Sequence, residues 1–200
     1  MTQNINLKEL EKKAWTSTFE DGIIDIGIGL ILVVTTICQT FDDARFYLYP
    51  LFIVPVLFIT AAKKYITAPR MGLVKFSRAR NRKRYMLYLI MTASIVFLLI
   101  LTVKGLFQQL PMTPVIVGAI VFFIPCSIAY FLNWDRMYIY AVLFTLSFAL
   151  NEITIANTGV IASGAYAWLI SGIIMIVIGV VYLVRFLRKY PLPVKGVYVP

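Results

Sequence analysis

The chain of 200 residues contains no histidine, two cysteines and nine acidic residues. Without histidine, the commonest general base and metal ligand is missing. Cys38 and Cys126 fall in separate apolar stretches with no CxxC spacing, so they assemble no familiar zinc or Cys/His arrangement. Both are read as buried free thiols. No serine stands in a GxSxG context, and neither a P-loop nor a dinucleotide-binding glycine fingerprint is present. Acid–base work would fall to Asp25, Glu152, tyrosine or lysine, because Asp21, one turn before Asp25, already has a capping role. The expectation is a protein with no catalytic set, no cofactor and no bound metal. Charged residues make up 14% of the chain, against roughly a quarter in soluble proteins, which argues against a water-soluble domain.

What the chain has in excess is apolar side chain. Hydrophobic residues are 60% of the total, gathered in runs of about 20, the length that crosses a bilayer as a helix. The runs fall at residues 22–41, 46–62, 85–103, 114–132, 137–155 and 161–184. They lack a polar/apolar alternation of period two and are too long for membrane strands of about ten residues. A helix satisfies its own backbone in lipid. The expected fold is therefore all-α: a polytopic transmembrane helical bundle of about six helices, forming one integral membrane domain over residues 1–200. Residues 1–21 are polar and mixed in charge, without the basic start and cleavage site of a signal peptide, so 22–41 is expected to remain as an anchor.

Lysine and arginine orient this bundle. In the six-helix reading, all 19 of them except Arg45 and Lys104 fall on one side, in the N-terminal segment, the second and fourth connections and the tail after residue 184. The side rich in Lys and Arg is cytoplasmic, which places both termini inside. The net charge of +10 is thus topology and not a nucleic-acid footprint. Tyr65, Tyr85, Tyr88, Tyr130, Trp134 and Tyr138 cluster near the same ends, and Tyr47 and Tyr49 near the first outer turn, as interfacial aromatics do.

Local signals refine the segments. Thr18 to Asp21 fits an N-cap followed at the third position by an acid, which complements the start of the first helix. Asn6 to Glu9 repeats the pattern, and residues 6–15 can form a short interfacial helix. Pro69 disfavours helix at Ala68, so Lys63 to Phe76 is expected to leave the membrane and fold back, with Ser77 capping the third helix in the basic run up to Arg84. Pro55 and Pro125 are expected to bend the second and fourth helices, with Ser127 helping to re-satisfy the backbone near Pro125.

Two stretches carry a resemblance. Phe19-Glu20-Asp21-Gly22-Ile23-Ile24-Asp25-Ile26, before a glycine-bearing helix, and Ala68-Pro69-Arg70-Met71-Gly72-Leu73-Val74-Lys75-Phe76 resemble segments of uncharacterised multi-spanning prokaryotic membrane proteins. The resemblance implies the architecture and a prokaryotic plasma-membrane setting. It brings no catalytic residues.

The candidate polar sites are Asp25 and Glu152. Asp25 lies one turn inside the first helix and shares a face with Gly22, Gly29 and Leu32, so it should point into the bundle, where an acid needs a partner or water. An ion pair with Arg70 or Lys75 is the structural explanation, ahead of a proton or cation site. Glu152 sits with Asn151, Thr154 and Asn157 where the fifth helix turns into the sixth; an outer loop is favoured over an external ligand site. In the sixth helix, Ser163, Ala167 and Ser171 recur every four residues and Gly172 and Gly179 every seven, beside Trp168 and Met175, which allows close contact within the bundle or in an oligomer. Arg78, Arg80, Arg82, Lys83 and Arg84 are the candidate contacts to anionic lipid. Two functions fit: a non-enzymatic scaffold or accessory subunit with a basic cytoplasmic face, or a small transporter or channel using Asp25 or Glu152.

Overall fold

The structure, a computed structural model, describes residues 19–41, 45–71 and 113–191, together with 82, 85, 86, 88–90 and 92–94. Every described secondary-structure element is helical. Five helices are long and apolar enough to cross a membrane: α1, Ile23–Thr40; α2, Phe46–Arg70; α3, Thr113–Leu132; α4, Arg136–Thr158; and α5, Ile161–Lys189. The chain is a multi-pass membrane protein built as a helical bundle. Of the expected segment 85–103, the described residues are helical and the remainder lies outside the described residues. The 6–15 helix, Thr18 and Ser77 lie outside the described residues altogether.

The main neighbours form the series α2–α1–α5–α4–α3. Half of α1 is buried against 11–22% of the other spans, so α1 is the central element. Its pairing with α5 is set by small residues seven apart. A Cβ added at Gly29 would lie 2.6 Å from the Gly172 carbonyl, and one at Gly179 would lie 2.8 Å from the Gly22 carbonyl. One further heptad along, Thr36 Oγ1 donates to the Ala165 carbonyl at 3.3 Å while also bonding Leu32. Gly22, Gly29 and Thr36 thus run antiparallel to Gly179, Gly172 and Ala165, and the backbones approach as closely as small-residue interfaces in membranes allow. The face spaced by four turns instead to α4: Ser147 Oγ bonds Ser171 Oγ at 2.6 Å and the Ala167 carbonyl at 3.2 Å. Both small-residue faces are engaged within the chain.

Turns at the two ends are tight. Asn133, at φ 51, reverses the chain between α3 and α4, and Trp134 N closes the turn on the Ala129 carbonyl at 3.0 Å. Asn tolerates this left-handed conformation better than most residues. Gly159, at φ 69, ends α4 in the same region. The helix therefore runs to Thr158, past the expected end at residue 155, and the polar residues 151–157 lie in its last turns and not in an outer loop. Thr154 and Thr158 stay helical by bonding the carbonyls of Leu150 and Thr154.

The second connection also departs from expectation. The helix does not leave its path at Lys63; it continues as a π-helical turn over Lys63–Thr67 and an α-turn over Ala68–Met71. Ala68 N bonds the Lys63 carbonyl, five residues back. In a regular α-helix the ring of Pro69 would strike the carbonyl four residues earlier, and the widened turn shifts that carbonyl away. Pro55 sits just after a 3-10 stretch, Tyr49–Phe52, near the start of a fresh α-helical run, where its missing N–H is least costly. Pro125 lies inside α3, and Ser127 Oγ bonds the Phe123 carbonyl one turn back at 2.8 Å. Cys38 is buried and Cys126 half-buried, both as free thiols.

Candidate functional site

α1 begins at a glycine in the left-handed region, Gly22 at φ 69. Only glycine adopts this conformation at little cost, and here it also brings the chain against Gly179 of α5. The reversal folds Asp21 back over the helix start, where its Oδ1 accepts a hydrogen bond from Ile23 N at 3.2 Å. The capping role expected of Asp21 is therefore present. It occupies one oxygen; the other, Oδ2, receives Lys63 Nζ at 2.5 Å and Thr67 Oγ1 at 2.7 Å. The π-helical turn sets both donors on the side of α2 that meets α1.

Asp25, one turn further in, is 0% exposed and ion-paired with Arg136 of α4, with Nη1 3.0 Å from Oδ2. Tyr140, one turn along α4 from Arg136, is buried as well. Arg136 is the hub of the cluster. Its guanidinium also donates to the Phe19 carbonyl and lies 3.7 Å from the centre of the Tyr182 ring on α5. Phe19 stacks on Trp134 at 5.2 Å, and Trp134 meets Tyr140 edge-on at 6.3 Å. Together with Ala129, Met137, Leu32 and Met175, these rings form an apolar core.

Sequence placed Asp25 in the bundle interior, and the structure finds it there. The partner expected, Arg70 or Lys75, is corrected: Arg70 Nη1 bonds the Ile66 carbonyl of its own helix at 2.8 Å, Lys75 lies outside the described residues, and Arg136 takes the role. Trp134, expected at the lipid interface, is 5% exposed and belongs to the core, whereas Tyr65 and Tyr130 are 70% and 69% exposed. Lys63, Thr67, Arg136, Tyr140 and Tyr182 were not singled out as site residues. One signal was available for Arg136: it is the lone cation in its connection, immediately before an apolar run.

Glu152 is half-buried near the opposite end of the bundle, away from Asp25. Its neighbour Asn151 is the buried one, packed against Gly164. A cavity of about 460 Å³ lies between Ile90, Ala93 and Ser94 and one face of α3, and a smaller one of about 260 Å³ lies at the end of α5; neither acid lines either cavity. Arg82 is exposed, and Arg78, Arg80, Lys83 and Arg84 lie outside the described residues. No group of His, Cys, Asp or Glu able to hold a metal ion occurs among the described residues.

The cluster's chemistry is that of a fastening. Two carboxylates from one helix start are matched by cations from two other helices, so α1, α2 and α4 are tied at one end while α5 closes over them. The carboxylates are sealed, whereas Lys63 and Arg136 side chains are 23% and 14% exposed. Removing either cation would strand an acid in a poorly solvating interior. Compared with known protein families, curated proteins and solved structures, the chain matches none.

Proposed function

We propose that the protein is a non-enzymatic scaffold or accessory subunit of a prokaryotic plasma membrane, with both termini and the connection 63–84 in the cytoplasm. The observation that supports this reading is the pairing of Asp21 and Asp25, at the start of α1, with cations of neighbouring helices, an arrangement that fixes helices in place. A transport site would instead keep an acid open to a hydrated path. Since the small-residue faces of α1, α4 and α5 pack against one another, a partner subunit or second copy docks elsewhere. The basic run Arg78, Arg80, Arg82, Lys83 and Arg84 lies against anionic lipid in this reading, and a peptide of residues 63–84 should float with anionic but not neutral vesicles, less so at high salt.

The deciding measurement is ion flux in vesicles reconstituted with the full chain and loaded with proton- and cation-sensitive dyes. No flux above that of protein-free vesicles is expected. Flux that is present in the wild type and lost in Asp25→Asn, with the variant still folded, would replace the scaffold with the small transporter or channel.

A further inference from the structure

We propose that the basic end of α5 binds the phosphate headgroup of one anionic phospholipid, in the recess lined by Glu20, Tyr182, Arg185, Phe186, Lys189 and Tyr190. The recess holds about 260 Å³, several times the ~30 Å³ share of a water molecule in the liquid. Its two cations differ from the Arg136 and Lys63 pairs nearby. Arg185 has no carboxylate partner among the described residues; its guanidinium lies 5.8 Å from the Tyr182 ring. Lys189 meets Glu20 at 3.2 Å, with side chains 58% and 44% exposed, a pair that water already weakens and a phosphate can displace.

Position and the neighbouring surface commit the ligand to lipid. α5 has 29 residues, about 43 Å of helix against a hydrocarbon core of about 30 Å, so its last turns reach the headgroup level. Tyr182 and Tyr190 are the ring type favoured at that depth. One turn deeper, the exposed side chains Val181, Val177 and Ile174 follow at spacings of four and three and form an apolar stripe leading away from Arg185. An acyl chain lying along the stripe carries its phosphate to Arg185 and Lys189. A free phosphate ion would use the cations and leave the stripe without a role. The inference rests on the lipid-contacting reading of the basic face, but its residues are separate from residues 78–84, which stay unchanged in the variants of the recess.

Native mass spectrometry of the full chain in neutral detergent, titrated separately with phosphatidylglycerol, phosphatidylcholine and inorganic phosphate, tests the assignment. Phosphatidylglycerol should bind most tightly. Arg185→Gln and Lys189→Gln should each weaken it by about fivefold, and Glu20→Gln, which releases Lys189 from its competitor, should strengthen it. Unchanged affinity in the Arg185→Gln/Lys189→Gln double variant overturns the site, as does weaker binding in Glu20→Gln. Equal binding of phosphatidylcholine, or of inorganic phosphate, overturns the anionic-lipid assignment. Loss of phosphatidylglycerol binding in an Arg78→Gln/Arg80→Gln variant, with none in the recess variants, would move the lipid to the connection and leave the basic face standing.

Discussion

Asp25 and Glu20 are both acids paired with a base at the same end of the bundle, yet their environments separate them. Asp25 is sealed from solvent beside an Arg136 side chain that is 14% exposed, whereas Glu20 and Lys189 are about half exposed. Breaking a buried pair leaves one charge without compensation and costs about 3–5 kcal/mol, while an exposed pair contributes about 1 kcal/mol or less. Asp25→Asn should therefore lower the stability of the detergent-solubilised protein by about 3 kcal/mol, and Glu20→Gln by less than about 1 kcal/mol, measured as unfolding midpoints in SDS titration. The Asp25→Asn/Arg136→Gln double variant should lose clearly less than the two single losses added together, because the second change removes the stranded charge. Additive losses would mean that the two residues act independently. The need of Asp25 for a partner was legible from its place on the glycine face of an apolar helix. Which partner it takes was not: all but two of the cations were assigned to the same side, and a contact between residues 25 and 136 depends on which helices become neighbours.

The helix pair α1–α5 shows the converse. Gly172 and Gly179 announced a close face by spacing alone, and their partners, Gly22 and Gly29, carry the same seven-residue interval, so the register follows once the two helices run antiparallel. A Cβ at Gly172 would lie 2.9 Å from the Gly29 carbonyl, and one at Gly179 would lie 2.7 Å from Ile26 N, both contacts with backbone that cannot rotate away. Gly172→Ala and Gly179→Ala should each destabilise by about 1–3 kcal/mol, the cost of overpacking. Gly118 on α3 provides the contrast, since a Cβ there meets only the Phe148 ring at 3.6 Å, an ordinary contact. Gly118→Ala should be neutral or stabilise by up to about 1 kcal/mol through its better helix propensity. The same SDS titration checks all three, and equal effects would show that the α1–α5 approach is not limited by these glycines. Where sequence failed at this scale, it was at helix ends. Pro69 was read as a break because its ring cannot follow a regular α-turn, and a π-helical turn is a backbone adjustment with no composition signature of its own. The polar cluster around Asn157 was read as an outer loop where the fifth helix turns into the sixth, because amides and hydroxyls favour turns, yet the hydroxyls of Thr154 and Thr158 bond carbonyls one turn back and the helix persists to the glycine that can end it.

At the scale of the whole molecule, the ion-pair cluster and the charge distribution meet at the same end. Asp21, Asp25, Lys63, Arg136, Arg185 and Lys189 gather where α1 and α4 begin and where α2 and α5 finish, while Thr158 marks the other end of α4. Alternation of direction along the chain was legible from span length and short turns. The order of packing, α2–α1–α5–α4–α3, was not, because an apolar face in lipid does not name its neighbour. The proposed orientation in the membrane rests on the retention of Lys and Arg on the cytoplasmic side, and it is checked in cells expressing a chain whose Cys38 and Cys126 are replaced by alanine. A single cysteine is then placed at Asn157 or at Asp135, both exposed and at opposite ends of α4, or at Ser77 in the basic connection. A membrane-impermeant maleimide applied to intact cells should label Asn157→Cys, and should reach Asp135→Cys and Ser77→Cys only after lysis. The opposite pattern would invert the bundle and place the basic end outside. Labelling of Asp135→Cys from within and Ser77→Cys from without would break the pairing of those two connections on one face and with it the six-crossing topology, since the segment 85–103 would no longer form a hairpin with α3.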